Sequence, residues 1–505
     1  MQVVTNAFTA EEKDTVRSPS HSLLMSWNKF DLSGNITFTI GVSTIGGNDV
    51  IGANPGGIGN PGQWQYTDDS DYVMGLEWER QLNIPTGGLT KAFSEVELDN
   101  TSGRYLPDYM GGTSAIFTSV LPKRPQIINA GFSDVNIPQF AGLLNKQPTV
   151  NLGNKTVNLQ ADDYLAYFEN KFVDETSMFT GVTTDTLIET MFQQAGMATA
   201  QYDLDTGLNE IPFTIIESGA KMSDVLSELA MAENGHIFQD EQGVFKFWNR
   251  QKFYNSPYNA VQKILLTSQV INVESPNEDH IINVVEVSAD IWQKRATQQI
   301  FSLSGTVEII ANQDTEFWAN LDDPVLEVTS QSITGNTLED GTGSAITVTV
   351  KNRQVFSQAV KYVLTAPTTG FITAFTINGR SAIVGESFVS RMKDDSSVTA
   401  FQERPLTINN KYIQDRTWAN SYSQVILDRF SEPDNILKIS IRAIPELQLG
   451  DLISWQGHYW RIYSIRTTLD QGVGFVQDLL LVKPRLDSYF TIGVSEIGGV
   501  DQIAA

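Results

Sequence analysis

The chain has 505 residues, of which 41% are hydrophobic and 18% are charged, and it contains no cysteine. This length predicts about three or four domains. The composition excludes a disordered chain, and the lack of cysteine excludes disulfides and thiolate-based catalytic or metal sites. Acidic residues outnumber basic ones by 59 to 34, so the net charge is −25, which disfavours proteins that grip a nucleic-acid backbone.

The N-terminal sequence does not predict secretion. Residues 1–14 are acidic where a secretory signal needs a basic flank followed by an apolar run. The sequence also has no run of about 18 apolar residues, the length that a membrane-spanning helix requires. We therefore expect no cleaved signal of this kind and no stable membrane insertion.

One segment near the N-terminus recurs at the C-terminus. Residues 38–51 and 490–503 are identical at 11 of 14 positions, which predicts two copies of one small apolar arm. The candidate assembly contacts are Phe38, Ile40, Val42, Ile45, Phe490, Ile492, Val494 and Ile497. Two alternatives remain open: the arms bind a neighbouring subunit or domain, or they pair as strands inside one subunit. The glycine- and proline-rich residues 54–62 predict a flexible linker after the first arm.

Most of the chain between the arms predicts antiparallel strands. Apolar and polar residues alternate at 92–98, 155–159, 244–248 and 437–442, as in half-buried strands. Glycine, asparagine and aspartate residues between such segments predict hairpin turns.

Three segments predict amphipathic helices instead. Residues 184–196 and 223–233 each place apolar side chains on one face and are followed or ended by glycine. A third helix is predicted over 418–430, ending before Pro433.

Several short motifs follow one another in an order that resembles the minor tail and baseplate hub proteins of bacteriophages. The resemblance covers roughly residues 75–486, and its weight lies in the order of the motifs because each is short. The segments that carry it are 92–107, 121–125, 140–143, 159–165, 235–247, 379–384, 410–415 and 445–453.

The resemblance implies a mainly β, multidomain fold with two tail-tube-like antiparallel β-barrels and an α/β insert. The remaining residues 301–399 have strand patterns separated by Gly, Ser and Thr turns, which predicts an additional β-sandwich-like insert that a minimal hub lacks. The expected domains are an N-terminal arm and linker (1–65), a first barrel (66–165), the α/β insert (166–255), a second barrel (256–300 with 400–486), the sandwich-like insert (301–399) and a C-terminal arm (487–505).

The resemblance also implies a function without catalysis. Two barrels in each of three copies imitate six tube subunits, so a homotrimer adapts a sixfold tail tube to a threefold tip. The implied partners are distal tail or tail-tube proteins, the tape-measure protein and other tip or receptor-binding proteins. DNA passes through the ring without specific binding, and the protein resides in the virion tail tip after assembly in the host cytoplasm.

Catalytic and metal-binding alternatives have weaker support. Asp162 with Asp163, or Glu446 with Asp451, are candidate glycosidase carboxylate pairs, but capping and turn roles explain acids beside a strand end. The four histidines are far apart in the sequence and form no metalloprotease motif. We expect no catalytic residue, no cofactor and no metal site, while calcium at residues 203–210 stays an open alternative.

A second class of function is a carbohydrate-binding adhesin. Exposed rings of the 301–399 insert would be the binding groups, but these rings are mostly spaced as strand residues, which favours a core role. The aromatic residues concerned are Phe317, Trp318, Phe356, Tyr362, Phe371, Phe375 and Phe388.

Overall fold

The structure is a computed structural model that describes residues 1–5, 8–9, 12, 17–27, 66–133, 135–274, 280–470, 472 and 474–484. The predicted mainly β fold is confirmed, since strands make up most of the regular structure in the described chain. The limits of the individual domains stay a prediction.

The first part of the chain forms strands with apolar side chains at every second position. In β5, for example, Ser94, Val96 and Leu98 are buried while their neighbours are more exposed, as the alternating sequence predicts. The strands here are β1 (Pro19–Met25), β2 (Thr67–Asp68), β3 (Val73–Gln81), β4 (Gly88–Leu89), β5 (Phe93–Asp99), β6 (Pro125–Phe132), β7 (Val135–Leu144), β8 (Thr149–Asn151) and β9 (Thr156–Asp163).

Two predicted helices follow and are confirmed. The first ends at Gly196 with φ +82°, but at the end of the second the left-handed residue is Asn234 (φ +53°) rather than the predicted Gly235. Gly235 instead donates its N–H to the Ala230 carbonyl. The elements are β10 (Phe179–Thr183), α1 (Thr184–Gln194), β11 (Tyr202–Leu204), β12 (Glu210–Thr214), α2 (Met222–Ala232), β13 (His236–Gln239) and β14 (Phe245–Trp248).

The middle of the chain is a series of strands, and the last of them is 24 residues long. These strands are β15 (Val261–Ile264), β16 (Val270–Glu274), β17 (Val284–Lys294), β18 (Gln298–Ser302), β19 (Val307–Ile309), β20 (Thr315–Asn320), β21 (Val325–Asn336), β22 (Ala345–Ile346), β23 (Thr349–Val355), β24 (Ala359–Thr365) and β25 (Gly370–Lys393).

The last part contains the third predicted helix, which is confirmed. Asp415 caps it by accepting the Trp418 N–H at 2.7 Å. The elements are α3 (Asp395–Phe401), β26 (Pro405–Asn409), α4 (Arg416–Phe430), β27 (Ile436–Arg442), β28 (Leu452–Trp455), β29 (His458–Asp470) and β30 (Gly474–Val482).

Strands from both predicted barrels join in a single 14-stranded sheet. Its main path runs β16-β27-β30-β29-β3-β5-β9-β7-β6-β1-β2, with β15, β28 and β8 attached beside it. The two halves meet where β3 pairs antiparallel with β29. Strand β17 does not join this sheet but pairs with β25 and β26.

Three apolar cores lie behind these sheets. The largest packs α1, α2 and α4 against strands of the closing half, including β27, β29 and β30. The second lies under the strands before residue 162, together with Phe475. The third lies between the β20-β24-β23 sheet and the first half of β25. These two layers of strands form the sandwich-like insert.

Candidate assembly surface

All eight predicted assembly contacts lie outside the described residues, and so does the 54–62 linker. The structure does show where each arm joins the sheet. Residues 28–65 connect β1 to β2, which pair with Leu24 opposite Asp68. Residues 485–505 follow β30, two strands from β16. One copy of the repeated sequence is therefore attached near each end of the 14-stranded sheet.

The β16 end of the sheet carries a group of exposed apolar side chains, here called the apolar edge. Their side chains are 41–56% exposed, and within the described residues β16 pairs only with β27. The apolar edge consists of Ile271 and Val273 in β16 and of Leu266, which precedes β16 by four residues. Unpaired apolar edge strands pair readily with further chain, so this end of the sheet is a candidate interaction surface.

A buried ion pair joins the first half of the sheet to the α/β insert. Arg80 in β3 contacts the carboxylate of Glu241, which follows β13, and both side chains are buried. Burial lowers the pKa of Arg80 to about 10, against the opposing pull of Asp240 and Asp451. Gln448 of the closing half donates to the other Glu241 oxygen at 3.0 Å. Three parts of the chain meet in this contact.

A second buried charged cluster lies at β15 and the short helix that leads into β16. Lys263 in β15 donates from Nζ to Glu12 at 2.5 Å and to Glu446 at 2.7 Å, and Gln269 donates to the other Glu12 oxygen at 2.6 Å. Both carboxylates are fully buried. Burial opposes the lysine charge, but the attraction of Glu446 and Glu12 raises the pKa of Lys263 above its usual value.

The Leu-Gly-Asp turn that contributes to the family resemblance has a structural explanation. Gly450 has φ +80°, and a Cβ atom there would lie 2.7 Å from the Trp248 ring, so both conformation and space require glycine. Asp451 accepts the backbone N–H of Gln448 at 2.8 Å. The turn therefore fixes β28 against the aromatic residues of the α/β insert.

The acid pairs considered as glycosidase carboxylates make structural contacts. Asp163 caps a short helix by accepting the Leu165 N–H at 3.1 Å, and it also accepts the Ala92 N–H at 2.7 Å. Burial raises the pKa of Asp163 to about 8, although these two hydrogen bonds oppose the shift. Glu446 binds Lys263 and Asp451 stabilises its own turn. The predicted capping role of Asp163 is confirmed.

The acidic segment 203–210 places its carboxylates against lysines. Asp203 lies 3.1 Å from Lys246 and Asp205 lies 2.6 Å from Lys252, so each aspartate already has a cation. Across the described residues, no group of three histidine or acidic side chains has an arrangement that would hold a metal ion.

His236 is a buried aromatic side chain in the core. Its ring lies 5.9 Å from Tyr463 and 6.2 Å from Phe253, and neither ring nitrogen has a partner among the described residues. Burial, assisted by the charge of Arg429, lowers its pKa to about 3. The imidazole is therefore neutral at physiological pH.

The insert separates its aromatic residues into two groups. Phe317, Tyr362 and Phe375 are buried together, with ring centroids 4.9–5.1 Å apart around Phe375. Trp318 is instead 40% exposed and stacks on Phe356 at 5.5 Å. The predicted core role is confirmed for the first group but not for Trp318.

Among the described helices, none is long and apolar enough to span a bilayer.

No protein-family model and no curated protein matches the chain. Solved structures of tail proteins do match over most of its length. A 43 kDa tail protein of prophage MuSo2 from Shewanella oneidensis has a TM-score of 0.46 and 12% identity, covering 84% of this chain and 96% of its own. A tail protein from Neisseria meningitidis has a TM-score of 0.45 and 9% identity, covering 85% and 95%.

A third match is a component of the type VI secretion system of E. coli, described as structurally similar to the T4 bacteriophage tail proteins gp27 and gp5. Its TM-score is 0.36 at 9% identity, covering 82% of this chain and 74% of its own. Two of these structures are named as tail proteins and the third as similar to tail proteins. With TM-scores below 0.5, none of these likenesses assigns a role to this chain.

Proposed function

We propose that the chain is a structural subunit of a bacteriophage tail that assembles as a trimeric hub at the tail tip or baseplate. The observation that carries the proposal is the 14-stranded sheet, which joins both halves of the chain and has an apolar edge at its β16 end. Within the part of the chain that the structure describes the sheet is open, since β16 and the β1–β2 pair at its two ends do not pair with each other. An open sheet with two different ends favours a head-to-tail contact between copies.

Head-to-tail contacts between identical subunits form closed rings when the rotation between copies closes. Each copy contributes two groups of strands that meet at β3 and β29, so three copies present six groups to a sixfold tail tube. In such a ring the β16 end of one copy faces the β1–β2 end of the next. The two copies of the repeated sequence then meet at each junction, with Phe38, Ile40, Val42, Ile45, Phe490, Ile492, Val494 and Ile497 as the assembly contacts.

The proposed partners are tail-tube proteins above the ring, the tape-measure protein within it, and other tip or receptor-binding proteins around it. The net charge of −25 repels phosphate groups. DNA therefore passes through the ring during ejection without being retained. In this role the protein acts by assembly and symmetry matching rather than by catalysis.

Light scattering and electron microscopy of the purified chain test the ring. The expected particle has threefold symmetry, a central channel and three times the 55.9 kDa chain mass. Replacing Ile271 in the apolar edge by aspartate should leave a folded monomer. The matched control is Ile310→Asp, because Ile310 is 45% exposed in the insert, away from the sheet ends. A wild-type chain that stays monomeric at every concentration and beside its tail partners would refute the hub.

A second candidate function is carbohydrate binding by the insert, and the exposed Trp318 favours it. Lys361 lies over the Trp318 ring at 5.3 Å and pairs with Glu316 at 2.8 Å. The part of the ring that Phe356 and Lys361 leave exposed, with these charged groups beside it, is suited to a sugar, whose C–H face packs on aromatic carbon. The Trp318→Ala variant should lose binding to host-surface polysaccharide, whereas Tyr109→Ala, a 72% exposed residue outside the insert, should retain it. Equal binding by both variants would remove this candidate.

A further inference from the structure

The apolar edge lacks a covering element among the described residues, although it lies beside a strand that can accept one. The outer side of β16 has no partner strand there, and Ile271 and Val273 on it are 56% and 41% exposed. Leu266, four residues before β16, is 50% exposed. An added strand would satisfy the free backbone groups of β16 and cover these side chains together.

The described chain ends close to this position. It ends at Pro484, two residues after β30. Strand β30 pairs with β27, and β27 pairs with β16. Val482 lies opposite Ile436 and Glu274 lies opposite Lys438, so the C-terminal ends of β30 and β16 are at the same end of the sheet.

The distance to the open side of β16 is within reach of the C-terminal segment. The position next to β16 is three strand spacings from β30, about 14 Å. Residues 485–489 span up to about 17 Å when extended. Phe490, where the repeated sequence begins, can therefore lie at the Glu274 end of β16, and a strand that starts there runs antiparallel to it.

The sequence of the C-terminal segment fits such a strand. Phe490, Ile492 and Val494 alternate with Thr491, Gly493 and Ser495, so an extended conformation places the three apolar side chains on one face. This composition matches the apolar edge, whereas a charged segment would not.

We infer that the C-terminal segment 490–503 docks on the β16 edge of its own chain as an added antiparallel strand and covers the apolar edge. Docking within a single chain does not require that the chain forms a hub. One consequence rests on the proposed function: the docked strand becomes the end of the sheet and presents the repeated sequence to residues 38–51 of the neighbouring copy.

Cross-linking tests the contact directly, because the chain has no native cysteine. A double variant Ile271→Cys/Ile492→Cys, treated with a short bis-maleimide, should give an intrachain cross-link that peptide mapping locates. The matched control Ile310→Cys/Ile492→Cys pairs the same arm position with an exposed isoleucine in the insert, and it should not cross-link. Equal yields in both pairs would overturn the inference. The inference would also be overturned if a mixture of the two single-cysteine variants gave efficient interchain products while the double variant gave no intrachain product.

Hydrogen exchange gives a second test that does not depend on cross-linking. Removing residues 485–505, or making Ile492→Asp, should accelerate amide exchange in residues 265–274 by about tenfold or more. Exchange in β24, in the core of the insert, should stay unchanged. Unchanged exchange at 265–274 would overturn the docking.

The measurement is made at a concentration where light scattering shows single chains. Ring formation at higher concentration without protection of the edge would refute the docking alone. Protection of the edge without any ring would support the docking and refute the proposed hub.

Discussion

Replacing Lys263 by methionine should destabilise the protein strongly, because this lysine is the cation between two buried carboxylates. Its Nζ lies 2.5 Å from Glu12 and 2.7 Å from Glu446. Methionine keeps much of the side-chain volume but removes the charge. Glu12 and Glu446 would then be buried near each other without a hydrogen-bonded cation, with only the more distant attraction of Arg17 remaining. Removing one partner of a buried ion pair typically costs about 3–5 kcal/mol.

The loss can be measured by thermal unfolding followed by circular dichroism. A destabilisation of 1 kcal/mol lowers the Tm of a unit of 150–250 residues by about 2–4 °C. Lys263→Met should therefore lower the Tm by about 6–20 °C. Lys351→Met is the matched control, because Lys351 and its partner Asp314 are both half-exposed. Exposed pairs of this kind contribute only about 0–1 kcal/mol.

A triple variant separates charge from packing. Lys263→Met/Glu12→Gln/Glu446→Gln has no buried charge in the cluster, so it should recover most of the stability that Lys263→Met loses. If Lys263→Met is no worse than Lys351→Met, the buried ionic cluster does not hold β15 in place. If the triple variant recovers nothing, the loss comes from packing of the lysine stem and the electrostatic explanation is wrong.

Three further predictions concern other parts of the molecule. Burial raises the pKa of Glu233 from 4.5 to about 7, so the folded chain binds more protons than the unfolded chain between these values and loses stability as the pH rises through them. The Glu233→Gln variant has no such titration, so its free energy of unfolding should rise relative to that of wild type by up to about 3 kcal/mol between pH 4.5 and pH 8. Urea unfolding at several pH values measures this difference. A difference that does not change with pH would contradict the shifted pKa. Gly450→Ala should lower the free energy of unfolding by at least about 2 kcal/mol, because the new Cβ meets Trp248 at a residue with positive φ. Gly457→Ala is the control and should cost about 1 kcal/mol, because Gly457 has φ +81° but nothing within 4 Å of a Cβ atom. Equal losses of stability in urea unfolding would exclude the clash. Phe375→Ala should lower the stability of the insert by about 3–5 kcal/mol. Limited proteolysis should then cleave the insert while the 14-stranded sheet stays protected. Cleavage throughout the chain would contradict a separate core in the insert.

Local sequence patterns predicted the helices well because the information for a helix lies within one or two turns. In α1, Leu187, Ile188, Met191 and Phe192 are buried, as their spacing requires. In α4, Tyr422 and the other predicted apolar positions of that face are likewise mostly buried. Short alternating strands such as β5 were predicted for the same reason.

The buried charges were harder to find, although one signal existed. Leu76, Trp78 and Arg80 occupy the inward positions of β3, so the alternation places Arg80 on the buried face. Its partner Glu241 is far away in the sequence, and nothing local indicates that the two meet. The same holds for Lys263 and Glu446.

The apolar edge escaped prediction for a related reason. Ile271 and Val273 have the same residue types as buried strand positions. They are exposed because β16 has a single neighbouring strand among the residues that the structure describes. Exposure at a sheet edge depends on which strands come together. The sequence repeat indicated that the arms bind something, but the described fold was needed to locate the two ends of the sheet near them.

The long strand β25 constrains how the insert relates to the rest of the molecule. Its first half pairs with β21 in the insert, and its second half pairs with β17 outside it. A continuous strand with hydrogen-bonded neighbours along its length resists bending more than a linker does. Ser357 adds a further connection by donating its N–H to the Thr176 carbonyl of the α/β insert at 2.9 Å.

The two proposed functions are therefore compatible in one subunit. An insert held by β25 keeps Trp318 at a fixed position relative to the 14-stranded sheet, and a ring of three copies would carry three such faces at fixed spacing. Simultaneous binding at several sites strengthens attachment only when the geometry lets the sites engage together. Weak binding of one sugar at each Trp318 would then be enough for a hub to hold a repetitive cell-surface polysaccharide, while the same subunit tested as a monomer would bind it poorly.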